Sequence, residues 1–264
     1  MAALIKSAYK AYIYLFRDLT DKRSDDFFLM GSVWFPLSIL AIYLYFVLSL
    51  GPRLMKNRPP LQLNGVIKTY NIVQIICSIY ITERALTLGW ATKYKWICEP
   101  VDYSDTYEAY VVLRAVHSYF LLKMFDLLDT IFFVLRKKDR QISFLHIYHH
   151  GGVFFGSWVI TKFLPGGHGT FIGCINSFVH IIMYSYYFIT LTWPQYKNKI
   201  WWKKYLTRLQ MLQFLLVTIH AAPILFMKDC TYPKVIAALM VFQYSFMFVL
   251  FLDFYKKTYL KKSV

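Results

Sequence analysis

The sequence predicts an all-α, polytopic membrane protein with seven transmembrane helices. Three observations predict it. The 264-residue chain is 58% hydrophobic with a mean hydropathy of +0.41, which is too apolar for an ordinary soluble domain. Its apolar runs recur at roughly 20 residues, the length that crosses a hydrocarbon core. Its 30 Lys and Arg against 14 Asp and Glu leave a net charge of +16. Those cations cluster in the short stretches between apolar runs. Cytoplasmic loops show that pattern, so the charge does not imply nucleic-acid binding.

Residues 1–26 carry Lys6, Lys10, Arg17, Asp18, Asp21, Lys22, Arg23, Asp25 and Asp26 with no clean apolar core. They are expected to form a short amphipathic segment at the interface, not a cleavable signal peptide. The first long apolar run, from Phe27, is then expected to start insertion. Spans are expected near Phe27–Leu50, Val66–Trp90, Ala109–Leu135, Ile142–Phe163, Thr170–Trp193, Leu209–Met227 and Val235–Tyr255. Connections are short, and no internal repeat or low-complexity tract interrupts them. Residues 1–264 therefore read as one domain, a bundle over 27–255 with a tail at 256–264.

Orientation follows from the short loops. Arg53, Lys56 and Arg58 follow the first span, Arg136, Lys137, Lys138 and Arg140 the third, and Lys197, Lys199, Lys203, Lys204 and Arg208 the fifth. The tail adds Lys256, Lys257, Lys261 and Lys262. With seven spans all four clusters share one side, which is expected to be cytosol, with the N-terminus lumenal and the C-terminus cytosolic. Cys98 and Cys230 then share the lumenal side, either as a disulfide in an oxidising compartment or as two thiols. Cys77 and Cys174 fall inside spans as packing residues. Lys261 and Lys262 stand three and four places from the chain end, the spacing of a dilysine retrieval signal for the endoplasmic reticulum.

Polar residues gather inside these spans. His146, His149 and His150 form a His-x-x-His-His group on one helical face. Three imidazoles are costly to bury in hydrocarbon, so they mark a reaction centre facing a cavity. Lys123, Asp126, Asp129 and Thr130 share a sector of the third span, as a buried ion network locking helices or as part of the site. Asn176, His180, Met183, Tyr184 and Tyr187 trace one face of the fifth span. Thr207, Gln210, Gln213 and His220 line the sixth, either as interhelical hydrogen bonds or as ligand contacts. Polar stripes on four helices imply an internal chamber, and its remaining apolar walls suit an acyl chain.

Three functions fit such a chamber. Membrane di-iron oxidases use His-x-x-His-His boxes, but they draw ligands from several boxes. The histidines here are His117, His146, His149, His150, His168, His180 and His220, with a single box and His168 on the far side. A seven-span receptor matches the topology but not the retrieval signal or the polar cluster near the cytosolic half. An acyltransferase uses imidazole as nucleophile and proton carrier, with the cytosolic cations attracting a polyanionic acyl-CoA.

Several motifs carry a resemblance. They are Gly51-Pro52-Arg53-Leu54-Met55-Lys56-Asn57-Arg58, Tyr70-Asn71, Cys98-Glu99-Pro100-Val101-Asp102-Tyr103-Ser104, Asp129-Thr130-Ile131-Phe132-Phe133-Val134-Leu135-Arg136-Lys137-Lys138, Phe144-Leu145-His146-Ile147-Tyr148-His149-His150, the stretch Asn176 to Tyr187, and the Thr207/Gln210/Gln213 spacing. In this order, over about residues 27–255, the chain resembles the very-long-chain fatty acid elongase family. One departure is Asp126, where the family motif has Glu, one methylene longer.

The resemblance implies an acyltransferase of the endoplasmic reticulum membrane, a very-long-chain 3-ketoacyl-CoA synthase. It condenses long-chain acyl-CoA with malonyl-CoA and releases CoA and CO₂. It implies six of seven helices around an acyl tunnel open to the cytosol, with the first helix outside. No metal or other cofactor is expected. The implied partners are the bilayer, the 3-ketoacyl-CoA reductase, 3-hydroxyacyl-CoA dehydratase and enoyl-CoA reductase of the cycle, and a second copy in a homodimer. His149 is the expected nucleophile, assisted by His180 and oriented by His146 and His150. Lys123, Asp126 and Asp129 organise that shell. Asn176, Tyr184, Tyr187, Gln210 and Gln213 line the site, and Lys137, Lys138, Lys204 and Arg208 are expected to meet CoA phosphates.

Overall fold

A backbone surrounded by lipid must satisfy its own N–H and C=O groups, and a helix does so within one segment. A computed structural model of the chain describes residues 1–196 and 203–260, and among these residues helices are the regular structure, with no strand. Helix α1 (Ala2–Ile13) is short. Seven long helices follow among the described residues: α2 (Trp34–Met55), α3 (Asn64–Trp90), α4 (Tyr107–Leu135), α5 (Phe144–Phe163), α6 (Thr170–Thr192), α7 (Lys203–Leu225) and α8 (Lys234–Leu260).

Five of these, α2, α3, α6, α7 and α8, are long and apolar enough to cross a membrane. The sequence reading counts seven spans. The other two, α4 and α5, are 29 and 20 residues long, so length is not what they lack. Arg114, Lys123, Asp126 and Asp129 on α4, and three histidines with Lys162 on α5, lower their apolar content. Outward-facing Ile42, Ile76, Phe242 and Val249 are well exposed on the surrounding helices. A surface like this suits lipid, and the chain is a multi-pass membrane protein.

The first span begins later than Phe27. Residues 27–33 fold back as turns, with Leu29 at a φ of 66°. The Leu29 carbonyl accepts from Trp158 Nε1 (3.0 Å), and the Phe28 carbonyl lies 3.0 Å from His117 Nε2. Those contacts pin the segment to α5 and α4 before α2 starts.

Packing runs in a circuit: α4 on α5, α5 on α8, α8 on α7, α7 on α6, α6 on α3, and α3 back on α4. The α3–α6, α7–α8 and α4–α5 pairs are the closest, and α5–α8 is the thinnest seam. Helix α2 stands outside this ring against α4 and α5. Gly51 permits its approach, because a Cβ there would sit 2.6 Å from Val134 Cγ1 on α4.

One end of the ring is tied by its loops. Cys98 and Cys230 are disulfide-bonded with Cα atoms 5.9 Å apart. Arg23 donates to the Ser104 carbonyl (2.6 Å) and the Asp102 carbonyl (3.0 Å), and pairs with Asp21 at 2.6 Å. Tyr103 donates to the Phe163 carbonyl, and Lys162 is ion-paired with Asp25. Gly167 has a φ of 58° and lies so close to Pro100 that a Cβ would meet its carbonyl oxygen at 2.6 Å, so this turn requires glycine. The His168 and His220 rings stack at 3.9 Å beneath it.

Candidate active site

Ser143 caps α5 by accepting from the His146 N–H (3.2 Å), which starts the helix two residues before the first imidazole. The three histidines share a face of the helix, and their neighbours give each a different setting. His149 lines a cavity of about 360 Å³ to which all six ring helices contribute lining residues. Its ring has no hydrogen-bond partner among the described residues. Gly152, Val153, Gly156 and Ile160 continue the same cavity wall along α5. From Tyr148 to Ile160 this wall extends on the order of 18 Å. Most of the lining is aliphatic or aromatic, from Ile81, Leu88, Val112, Val116, Ile172, Phe214, Leu239 and Met247.

Polar groups share this lining with His149. Asn176 on α6 accepts from Tyr119 OH (3.1 Å), and its Nδ2 lies 3.5 Å from Gln213 Oε1 on α7. All three line the cavity. Tyr148 donates to Gln243 Oε1 (2.7 Å) across the α5–α8 seam.

A second layer is buried behind them. Lys123 Nζ pairs with Asp126 Oδ2 at 2.8 Å and lies 3.4 Å from His180 Nδ1. His180 Nδ1 is 3.7 Å from Asp126 Oδ2, beyond hydrogen-bond range. Gln74 Nε2 on α3 donates to Asp126 Oδ1 (2.7 Å) and to Tyr70 OH (2.8 Å). The shorter carboxylate at 126 is thus held on both oxygens. Tyr184 donates to Asp129 Oδ2 (2.8 Å) and also approaches Asp126 and Tyr70 at 3.4 Å. An ammonium offers only donors, so His180 Nδ1 accepts and Nε2 carries its ring proton.

His146 faces away from the cavity. Its Nε2 meets Thr130 Oγ1 at 3.0 Å, and Thr130 meets Tyr43 OH on α2 at 2.7 Å. The His146 and His150 rings lie 4.1 Å apart, and His150 and His149 5.5 Å apart. His150 Nδ1 is buried without a hydrogen-bond partner among the described residues. No group of three or more His, Cys, Asp or Glu among those residues is arranged to hold a metal ion.

The family model described as GNS1/SUR4 (ELO) matches residues 28–264. The chain is 40% identical over 256 residues to very long chain fatty acid elongase 1 of Mus musculus, covering 96% of this chain and 92% of that one. It is 41% identical to elongase 7 of Rattus norvegicus (91% and 86% covered) and 42% identical to elongase 4 of Homo sapiens (91% and 76% covered), each over 242 residues. The chain belongs to the very long chain fatty acid elongase family.

Within this elongase, the residues singled out in the sequence fall into three places. His149, Asn176 and Gln213 line the cavity. Lys123, Asp126, Asp129, His180 and Tyr184 form the buried layer, with Tyr187 beside Tyr184 at a ring distance of 6.0 Å. Gln210 Nε2 turns to Met183 Sδ at 3.4 Å. The cations occupy the histidine end. Lys137 and Lys138 form a helix-terminating turn, with their N–H groups on the Val134 and Phe133 carbonyls (3.1 and 2.8 Å). Lys137 Nζ donates to the Lys56 carbonyl (3.2 Å). Lys204 sits 5.1 Å over the Tyr205 ring, and Arg208 Nε donates to Tyr255 OH (2.8 Å). Cys98 and Cys230 lie at the opposite end, and Lys261 and Lys262 fall outside the described residues.

The polar network also includes residues that the sequence reading passed over: Tyr43, Gln74, Tyr119 and Gln243. Gln74 carried a legible signal, since Asn71, Gln74 and Ser78 recur at helical spacing in an apolar segment. Tyr43 and Tyr119 carried none, being phenols among many aromatic residues.

Proposed function

We propose that the protein is a very-long-chain 3-ketoacyl-CoA synthase that condenses long-chain acyl-CoA with malonyl-CoA. The observation that carries this reading is the mostly apolar cavity whose lining includes His149, Asn176 and Gln213. An acyl chain occupies the apolar length and places its thioester at the imidazole. Lys137, Lys138, Lys204 and Arg208 at the same end attract the CoA phosphates. In this reading α4 and α5 also cross the bilayer, giving seven spans with six around an acyl tunnel. The basic end is cytosolic, the disulfide end and N-terminus are lumenal, and the membrane is that of the endoplasmic reticulum. A homodimer passes its product to the two reductases and the dehydratase of the cycle.

The chemistry runs in two steps. An imidazole nitrogen of His149 attacks the acyl carbonyl and the C–S bond breaks. CoA leaves as a thiolate and takes up a proton, while the acyl group stays on the ring. Malonyl-CoA then loses CO₂, and the electron pair of its C–C bond forms an enolate. That carbon attacks the acyl-imidazole, the C–N bond breaks, the departing ring nitrogen takes a proton from water, and His149 is regenerated with the chain two carbons longer. His180, in the layer behind the cavity wall, carries its ring proton on Nε2 and assists by positioning the malonyl group. Lys123 and Asp126 hold His180 in that tautomer, and Asn176 and Gln213 bind the amides of the pantetheine arm. His146 and His150 orient His149.

Purified protein given labelled malonyl-CoA and a panel of acyl-CoAs tests this. The expected products are 3-ketoacyl-CoAs two carbons longer, with acyl adduct trapped on the peptide bearing His149 when malonyl-CoA is withheld. Normal extension by His149→Ala, or an adduct on another residue, overturns it.

A further inference from the structure

The three box histidines have different surroundings, and one is tied to a helix outside the ring. Tyr43 on α2 is 4% exposed and Thr130 on α4 is fully buried. Tyr43 OH has one hydrogen-bond partner among the described residues, Thr130 Oγ1 at 2.7 Å. A buried phenolic proton without an acceptor is costly, so Tyr43 donates. Thr130 has one hydroxyl proton, and its other neighbour is His146 Nε2 at 3.0 Å. With its oxygen accepting from Tyr43, Thr130 directs that proton to Nε2. The chain therefore has one direction, from phenol to hydroxyl to imidazole.

We propose that Tyr43 is a positioning residue that fixes His146 as the Nδ1–H tautomer, with Nε2 as an acceptor, through Thr130. Nε2 of His146 is then committed and takes no part in acyl transfer. The ring becomes a fixed plate against which His150 packs, tilted by 39° at 4.1 Å, and His150 in turn abuts His149. The catalytic consequence rests on the reading of His149 as nucleophile, whereas the tautomer does not.

The test uses full-length protein with ¹⁵N-labelled histidine in lipid nanodiscs, with the His146 signals assigned by His146→Gln. The expected wild-type spectrum shows His146 Nε2 unprotonated. Tyr43→Phe, which removes one oxygen, is expected to add signal from the second tautomer. It is also expected to lower kcat about two- to tenfold with KM for acyl-CoA unchanged, the effect of one buried hydrogen bond. Thr130→Ser keeps the wild-type spectrum and rate. Adding Tyr43→Phe to Thr130→Val has no further effect on either, since the chain is already cut. A protonated Nε2 in the wild type overturns the proposal. So does a Tyr43→Phe protein with unchanged spectrum and kcat. If Thr130→Val does not fold, the Tyr43→Phe and Thr130→Ser pair decides. If His149→Ala still condenses while Tyr43→Phe shifts the tautomer, the functional reading fails and the positional inference stands.

Discussion

Gly156→Leu tests whether the cavity is an acyl site. Gly156 lines the cavity seven residues beyond His149 on the same face of α5, about 10 Å deeper. A Cβ at 156 meets nothing within 4 Å, so a leucine side chain projects into open space rather than into a neighbour. Replacing a helical glycine also favours the helix by about 0.5–1 kcal/mol, so lost activity has no origin in unfolding. The obstruction removes burial for each methylene that would lie below it, at about 0.8 kcal/mol apiece. A two-carbon unit then loses about 1.6 kcal/mol, roughly a 15-fold drop in kcat/KM for each added unit beyond the block. Acyl-CoAs short enough to end above residue 156 keep their rates. The assay is kcat/KM across a series of saturated acyl-CoAs, with products read by mass. Gly152→Leu, three residues from His149, is expected to cut off nearly the whole series. An unchanged chain-length profile in Gly156→Leu would refute the reasoning, because the acyl chain would then lie elsewhere.

Lys123→Met leaves Asp126 buried without its cation and is expected to cost about 3 kcal/mol, read by thermal unfolding in detergent. Asp126→Asn in the same chain recovers part of that loss, whereas additive losses would show that the pair is not coupled. Cys98→Ser with Cys230→Ser opens a loop of 132 residues and is expected to cost about 2–5 kcal/mol, with wild-type gel mobility changing on reduction and the double variant's not. Chelator treatment is expected to leave condensation unchanged; a loss restored by iron would return the histidine group to metal chemistry.

The helical class was legible because membrane length and apolarity are local properties of the chain. So was the grouping of His149, Asn176 and Gln213, since each carries a polar group that an apolar helix must direct somewhere. The separate orientations of the box histidines were not legible. His146, His149 and His150 share a helical face within one turn, and only the neighbours decide that His149 meets the cavity and His146 meets Thr130. Those neighbours come from far along the chain, as with Tyr43 and Thr130, 87 residues apart. The start of α2 was hidden for a similar reason. Residues 27–33 are apolar enough to continue a helix, but contacts from Trp158 and His117 hold them in turns. The apolar spans α3, α6, α7 and α8 were easier to bound than polar-rich α4 and α5, because the chemistry of those two trades against hydropathy.

Gly51 touches no part of the cavity, yet its missing side chain sets how near the outermost helix can come. A single methyl group there would meet Val134 Cγ1 at 2.6 Å and the Phe46 carbonyl oxygen at 2.9 Å, so the contact between α2 and α4 would have to shift. Tolerance to substitution in this enzyme is therefore not graded by distance from substrate. A mutational survey confined to the chamber walls would overlook this position.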